Sequence, residues 1–374
     1  MNPRLSLWLD GLRVIAAFTV LLSHIAYERY TGTRYGFFRD HNLGSDAVVI
    51  FFVLSGFLIA YAAEMRDRTL SAYAWSRATR LWSVALPALL LTFVLDRLGL
   101  LINPAAYFAP FYEPIPLGEL LARGLSFSNE WFLDSVRLGS NGPWWSLSYE
   151  AGYYALFGAA FFLRGPARIA IMLAVAVLIG PRPLLLLPVW LSGVVLWRLA
   201  AAGRLNLGAP LAWTFAVLPP LAYGACLALD VPHALMNASA QMTGLDVKTW
   251  RVLTGFSDEI LWNSLVAVLM SLHLAGVASL PQRTVSAGAS AERAAKAVKW
   301  LAGGTFSLYL MHYPVLQFAD AVLPETMNLP VRDLALLSAS ALVPLWLAGL
   351  TERRLGALRQ FLSGMALRVR TLAR

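Results

Sequence analysis

Charge is scarce in this chain: Asp, Glu, Lys and Arg make up 14% of its 374 residues, against the roughly 25% usual in a soluble globular domain. An ordinary soluble enzyme is thereby excluded. Cysteine is scarcer still, and its single copy, Cys226, rules out an intramolecular disulfide, a thiolate zinc cluster and an iron–sulfur site. The G-x-S-x-G elbow, the Walker A sequence, the dinucleotide-binding fingerprint and the H-E-x-x-H helix are missing too. Without them there is no basis for a serine hydrolase of the usual fold, a nucleotide-driven pump or a zinc protease. No metal is expected.

What the chain has instead is apolar bulk, 58% of its residues, and a basic excess of 30 Lys and Arg over 21 Asp and Glu, a formal +9. In a soluble protein that balance would suggest nucleic acid. In an apolar one it suggests loops facing an anionic membrane surface, so lipid is the expected partner and nucleic acid is not.

A bilayer's hydrocarbon core needs roughly 20 mostly apolar residues per helix. Ten runs of about that kind can be marked out: Leu7 to Tyr27, Ser45 to Met65, Leu81 to Leu101, Trp144 to Leu163, Ile169 to Pro181, Leu184 to Ala200, Ala209 to Leu229, Ile260 to Leu280, Trp300 to Val322 and Leu334 to Leu350. The fifth is short and ends in Gly180-Pro181-Arg182-Pro183, so it and the sixth form either two helices or one hairpin. The expected fold class is all-α, a polytopic membrane protein of about ten transmembrane helices. Residues 1–352 form the membrane domain and 353–374 a basic tail. The first run is not a cleavable signal, because Asp10 and Arg13 interrupt its apolar stretch.

Orientation follows from where the basic residues fall, since Lys and Arg are enriched in cytoplasmic loops. With the N-terminus inside, 19 of the 30 basic residues and 4 acidic ones lie on the inner side, against 10 basic and 14 acidic outside. Both termini are therefore expected in the cytoplasm. The long outer segments, Ile102 to Pro143 and Asp230 to Glu259, are of the length that usually carries function, and Gly118 to Leu125 reads as a short amphipathic helix.

Sorting the charges leaves Asp10, Arg13, Asp46 and Glu150 at membrane depth, where unpaired charge is costly and function is the default reading. At 100° per residue, Asp10, Arg13 and His24 fall on one stripe of the first helix, His24 roughly 16 Å above Arg13 and near the outer end. The alternative is an Asp10–Arg13 ion pair with His24 at the interface. Asn141-Gly142-Pro143 marks a helix start and opens Trp145-Ser146-Leu147-Ser148-Tyr149-Glu150. Ser146, Glu150 and Tyr153 then share a face, and Glu150 falls at a depth where it could meet His24 or bond only Ser146 or Tyr153.

Taken in order, Leu9-Asp10-Gly11-Leu12-Arg13 with His24 beyond, Phe51 to Ile59 with Ser55-Gly56, Arg77-Ala78-Thr79-Arg80, the Trp145 to Glu150 run and Ser307-Leu308-Tyr309-Leu310-Met311-His312 resemble the bacterial integral-membrane acyltransferase family 3. The resemblance spans nearly the whole chain. It implies an enzyme of the bacterial cytoplasmic (inner) membrane. Such an enzyme moves an acyl group, most often acetyl, from cytoplasmic acyl-CoA to a hydroxyl of a carbohydrate or lipid-linked acceptor. His24 would be the base for that hydroxyl, imidazole being suited to the task, either directly or as an acyl carrier. Arg13, Asp10 and Glu150 would support it. Arg77 and Arg80, with Arg13, would hold the donor, unless they are plain inner-face charges. Trp145, Ser146, Ser148, Ser55, Tyr309 and His312 are candidate substrate contacts, the last two equally readable as a satisfied buried pair. A proton-coupled carrier, with the same buried charges, and an inactive membrane partner of glycan machinery are the competing readings.

Overall fold

The computed structural model describes residues 3–280 and 288–372. Among these the chain is helical, with no named strand and one isolated bridge between Leu138 and Asn141. Arg283 and Arg374, counted above with the inner side, lie outside the described residues.

Each of the ten apolar runs coincides with a helix over most of its length, the ninth starting in the last turn of a separate helix, Ala289–Ala302, before the break at Gly303-Gly304. The ten helices are α1 (Pro3–Ile25), α2 (Leu43–Met65), α3 (Leu70–Ile102), α4 (Trp145–Phe162), α5 (Gly165–Ile179), α6 (Pro181–Ala201), α7 (Ala209–Ala228), α8 (Ile260–Ser279), α9 (Thr305–Val322) and α10 (Leu329–Leu347). The fifth and sixth runs are thus two helices that break at Gly180, whose φ of 79° suits glycine. The segment expected as a tail forms α11 (Leu355–Leu372), and the amphipathic piece of the outer segment is a helix over Leu117–Ser126.

Seven helical stretches among the described residues are long and apolar enough to cross a membrane: α1, α2, α3, α6, α7, Val247–Ser279 and Leu329–Met365. The helix α5 is apolar but shorter. The helices α4 and α9 are not among the seven, and they carry Ser146, Ser148, Glu150, Ser307, Tyr309, His312 and Gln317. Outward-facing positions are apolar instead: Ile169, Leu173 and Val177 of α5, Leu218 and Leu221 of α7, and Leu342 and Trp346 of α10 are all exposed. Polar groups inside and aliphatic ones outside is the arrangement a lipid solvent selects.

Small residues set the tightest crossing. A Cβ on Gly56 of α2 would stand 2.0 Å from the Trp190 carbonyl oxygen, and one on Gly193 of α6 would stand 1.9 Å from that of Val53. Each helix rests its backbone on the other's glycine, which places Trp190 beside Ser55. The helix α3 begins eleven residues earlier than the apolar run, capped by Thr69 Oγ1, which accepts from the Ala72 amide at 3.2 Å. At 33 residues it is about 50 Å long, more than a roughly 30 Å hydrocarbon core takes up, and Arg77 and Arg80 lie in its first eleven residues. The helix α9 packs against α3, α10 and α1, at the centre of the bundle.

Candidate active site

Proline shapes the middle of α9. Pro314 has no N–H for the Leu310 carbonyl, and its ring displaces that carbonyl from the helical ladder. Asn141 takes up the freed acceptor: its Nδ2 donates to Leu310 O at 2.9 Å and to Thr92 Oγ1 of α3 at 3.1 Å. The helix-start asparagine therefore ties α3 and the base of α4 to the turn of α9 that holds His312.

His312 Nδ1 faces two carbonyl oxygens of its own helix, Leu308 at 2.9 Å and Tyr309 at 2.8 Å. Carbonyls only accept, so the ring proton of neutral His312 sits on Nδ1 and Nε2 keeps its lone pair. That lone pair lies 3.0 Å from His24 Nδ1. His24 must then donate from Nδ1, which leaves the lone pair of its own Nε2 for chemistry. The sequence expectation let Glu150 meet His24; the structure gives it His312 instead.

Two guanidinium groups flank His24 at one ring's remove. Tyr27 lies 5.9 Å from the imidazole and carries Arg39 Cζ at 4.1 Å, while Tyr313 meets it edge-on at 4.9 Å and carries Arg137 Cζ at 5.5 Å. Arg137 also donates to Phe111 O and Ser140 O, at 3.0 and 3.1 Å, fastening the long segment between α3 and α4 over this end of the bundle. Arg39 and Arg137 were not singled out from the sequence, since a basic residue between two apolar runs carries no motif.

Below lies a cavity of about 410 Å3, within the usual size range of a small-molecule site. Arg13, Arg66, Arg77, Arg80 and Arg359 line it, as do Ser55, Glu150, Tyr154, Ser146 and Tyr309, with Leu54, Leu58, Ile59 and Leu81 as apolar wall. Seven of the sequence candidates thus share one chamber: Arg13, Ser55, Arg77, Arg80, Ser146, Glu150 and Tyr309. His24 and His312 do not line it. Tyr309 stands between, its hydroxyl 2.6 Å from Ser146 Oγ and donating to Pro143 O at 3.1 Å, and its carbonyl on His312.

Glu150 faces the chamber. Its Oε1 accepts from Ser55 Oγ at 2.5 Å and from Tyr154 OH at 2.6 Å, and Trp190 Nε1 donates to Ser55 Oγ at 3.2 Å. It is bonded neither to His24 nor to Ser146, and Tyr153 turns away to donate to Pro183 O at 2.6 Å.

The remaining candidates, Asp10, Trp145 and Ser148, and the buried Asp46 do not line the chamber. Ser148 is bonded to Phe127 O and to the amide of Glu130, pinning the outer segment, and Trp145 stacks on Phe256 at 4.3 Å. Asp10 lies 3.9 Å from Arg13, a loose pair. Asp46 accepts from Tyr223 OH at 2.7 Å and Trp262 Nε1 at 2.6 Å, a satisfied clamp between α2, α7 and α8. His273 donates from Nδ1 to Ala216 O, freed by Pro220, and accepts from Trp8 Nε1 at 3.0 Å. Both of its nitrogens are used.

A multi-pass helical membrane protein with a basic-mouthed chamber beneath a histidine pair is the class these elements define. The sequence family described as an acyltransferase domain matches residues 6–350, and the chain belongs to this acyltransferase family 3. It is similar to Acyltransferase MdmB of Streptomyces mycarofaciens, with 33% identity over 159 residues, 40% of this chain and 37% of that protein. The match thus spans little more than a third of the relative's length. No solved structure matches.

Proposed function

We propose that this chain is an O-acyltransferase of the bacterial inner membrane. It takes an acyl group, in the first instance acetyl, from cytoplasmic acyl-CoA and transfers it to a hydroxyl of a glycan, a lipid-linked sugar or a related metabolite. The observation that carries the reading is the vertical order of the site. Five arginines and Tyr309 line one chamber, and the carbonyl of Tyr309 holds His312, which holds His24.

In this reading the ten helices all span and both termini lie in the cytoplasm, in keeping with the 19 basic residues assigned to that side. The arginines take the donor's phosphates, for which planar guanidinium groups are suited, and the thioester arm runs upward along Leu54, Leu58 and Ser55. Arg13 and His24 are eleven residues apart on one helix, about 16 Å of rise, a distance suited to a long arm and not to a compact substrate. The acceptor comes from the other side, past Tyr27 and Tyr313.

The acceptor hydroxyl gives its proton to His24 Nε2 as its oxygen attacks the thioester carbonyl. The carbon–sulfur bond then breaks, and the proton on Nε2 passes to the departing thiolate, so the products are the ester and the free thiol. His312, its Nδ1–H fixed on carbonyls, holds His24 in the tautomer with Nε2 unprotonated and accepts from the Nδ1–H of the imidazolium that forms, the orienting role of the third group in a catalytic triad.

The carrier reading has less to stand on. Asp46, one of the buried charges it draws on, is bonded to Tyr223 and Trp262, and the family match is to an acyltransferase. Release of free thiol from acetyl-CoA by the purified full-length protein, stimulated by an added carbohydrate acceptor, tests the proposal. Thiol release that is no faster with His24 than with His24→Ala would count against it.

A further inference from the structure

We infer that α11 is part of the donor site, with Arg359 joining Arg77 and Arg80 to hold the 3′-phosphorylated nucleotide end of the acyl-CoA. The inference rests on the acyl-CoA reading above and adds a residue that the sequence placed in a basic tail.

Arg359 reaches the chamber from the far end of the chain. Its Nε donates to Thr79 Oγ1 at 2.8 Å and its Nη2 to Ser76 O at 2.8 Å. Ser76 Oγ in turn accepts from Arg77 Nη2 at 2.8 Å. Two guanidinium groups from distant parts of the chain therefore rest on one serine, next to the turn that carries Arg80.

The positive charge gathered there is largely uncompensated. Asp67 pairs with Arg77 at 3.0 Å, and among the described residues Arg66, Arg80 and Arg359 have no carboxylate partner within ion-pair distance. Arg77 Nε is buried without a hydrogen-bond partner. Like charges crowded together destabilise the empty site, and a polyanion bound among them relieves that repulsion.

The position of Arg359 is fixed in advance. Just before α11, Glu352 Oε2 accepts from the Phe306 and Ser307 amides at 3.1 Å each, at the start of α9. Arg353 donates to Leu345 O at 2.9 Å and Trp300 O at 3.0 Å and lies 4.1 Å over the Trp300 ring. The helix thus leaves from an anchored turn, so little ordering remains when the ligand binds. Several guanidiniums in one chamber with an apolar wall, Ser55 and Glu150 suit a ligand with clustered phosphates and a thin polar arm. A single phosphate would leave most of the cradle unmatched.

Calorimetric titration of the full-length protein in phosphatidylcholine nanodiscs, with coenzyme A, 3′-dephospho-coenzyme A and pantetheine, tests this. Wild-type protein is expected to bind coenzyme A more tightly than the dephospho form. Arg359→Gln is expected to weaken coenzyme A about tenfold and leave pantetheine unchanged, with Arg359→Lys recovering part of the loss. Wild-type protein that binds no coenzyme A would overturn the donor reading itself. Wild-type binding that Arg359→Gln leaves intact, or a loss shared equally by pantetheine, would overturn only the role of Arg359. If Arg359→Gln does not fold, Arg359→Lys carries the same comparison between coenzyme A and its dephospho form. A comparison unchanged from wild type there contradicts the inference.

Discussion

His312 Nε2 stands 3.0 Å from His24 Nδ1, and the carbonyls on the other side of His312 determine which of the two rings donates. Removing His24 is expected to lower acyl transfer by about 10²-fold or more. His312→Ala keeps the base but releases its tautomer. Its kcat should fall and its pH–rate profile move, with the donor KM unchanged. Thiol release followed across the neutral pH range separates this from simple unfolding, which would lower activity without moving the profile.

Glu130, in the long segment between α3 and α4, is buried, with Ser135 Oγ donating to Oε1 at 3.0 Å and Oε2 without a partner. Burial pushes its carboxyl up to about 7, from the 4.5 of a free side chain. The folded state therefore holds the proton more tightly than the unfolded state. Its stabilising contribution is complete below about pH 4.5 and is lost as pH rises toward and past about 7. The melting temperature of Glu130→Gln is expected to match wild type in mild acid and to exceed it by a few °C above neutrality. A difference independent of pH would assign the effect to shape alone.

Asn141 Nδ2 satisfies the carbonyl that Pro314 leaves free. Asn141→Leu leaves the buried Leu310 oxygen unpaired and should destabilise by roughly 1–3 kcal/mol. Introducing Pro314→Ala in the same chain restores the helical partner for Leu310, so the double variant should regain part of the melting temperature. Failure of the second change to compensate would break the link drawn between these two residues.

The crossing of α2 and α6 has no room for a methyl group at Gly56 or Gly193. Gly193→Ala is expected to lower the yield of folded protein and the melting temperature severely, whereas Gly224→Ala, at a glycine of α7 with nothing within 4 Å, should be neutral. Comparable behaviour of the two variants would contradict the close approach.

The apolar helices were legible because each is an apolar run bounded by charge or by Gly and Pro, and Arg77 and Arg80 because they recur at a short spacing. The start of α3 was not, since residues 70–80 interleave Ser, Thr and Arg with Ala, Tyr and Trp, and only the Thr69 cap marks the beginning. Depth along a helix placed Glu150 and His24 at similar heights but carried no information on which neighbours stand between them. Ser55 and Tyr154 turned out to be the partners of Glu150, and His312, 288 residues from His24 in the chain, the partner of the base. Arg359 was hidden for a plainer reason: one arginine among six in the last 22 residues looks like any other inner-face charge. Only the fold of α11 against α3 picks it out.

The most direct test is the transfer of labelled acetyl from acetyl-CoA into the glycan and lipid fractions of bacterial membranes containing the full-length protein, compared with membranes containing an equal amount of folded His24→Ala. The expected result is label incorporated with wild type and reduced to background with the variant. Equal incorporation by the two would contradict the account, because the order of arginine mouth, chamber and histidine pair would then have no chemistry to perform.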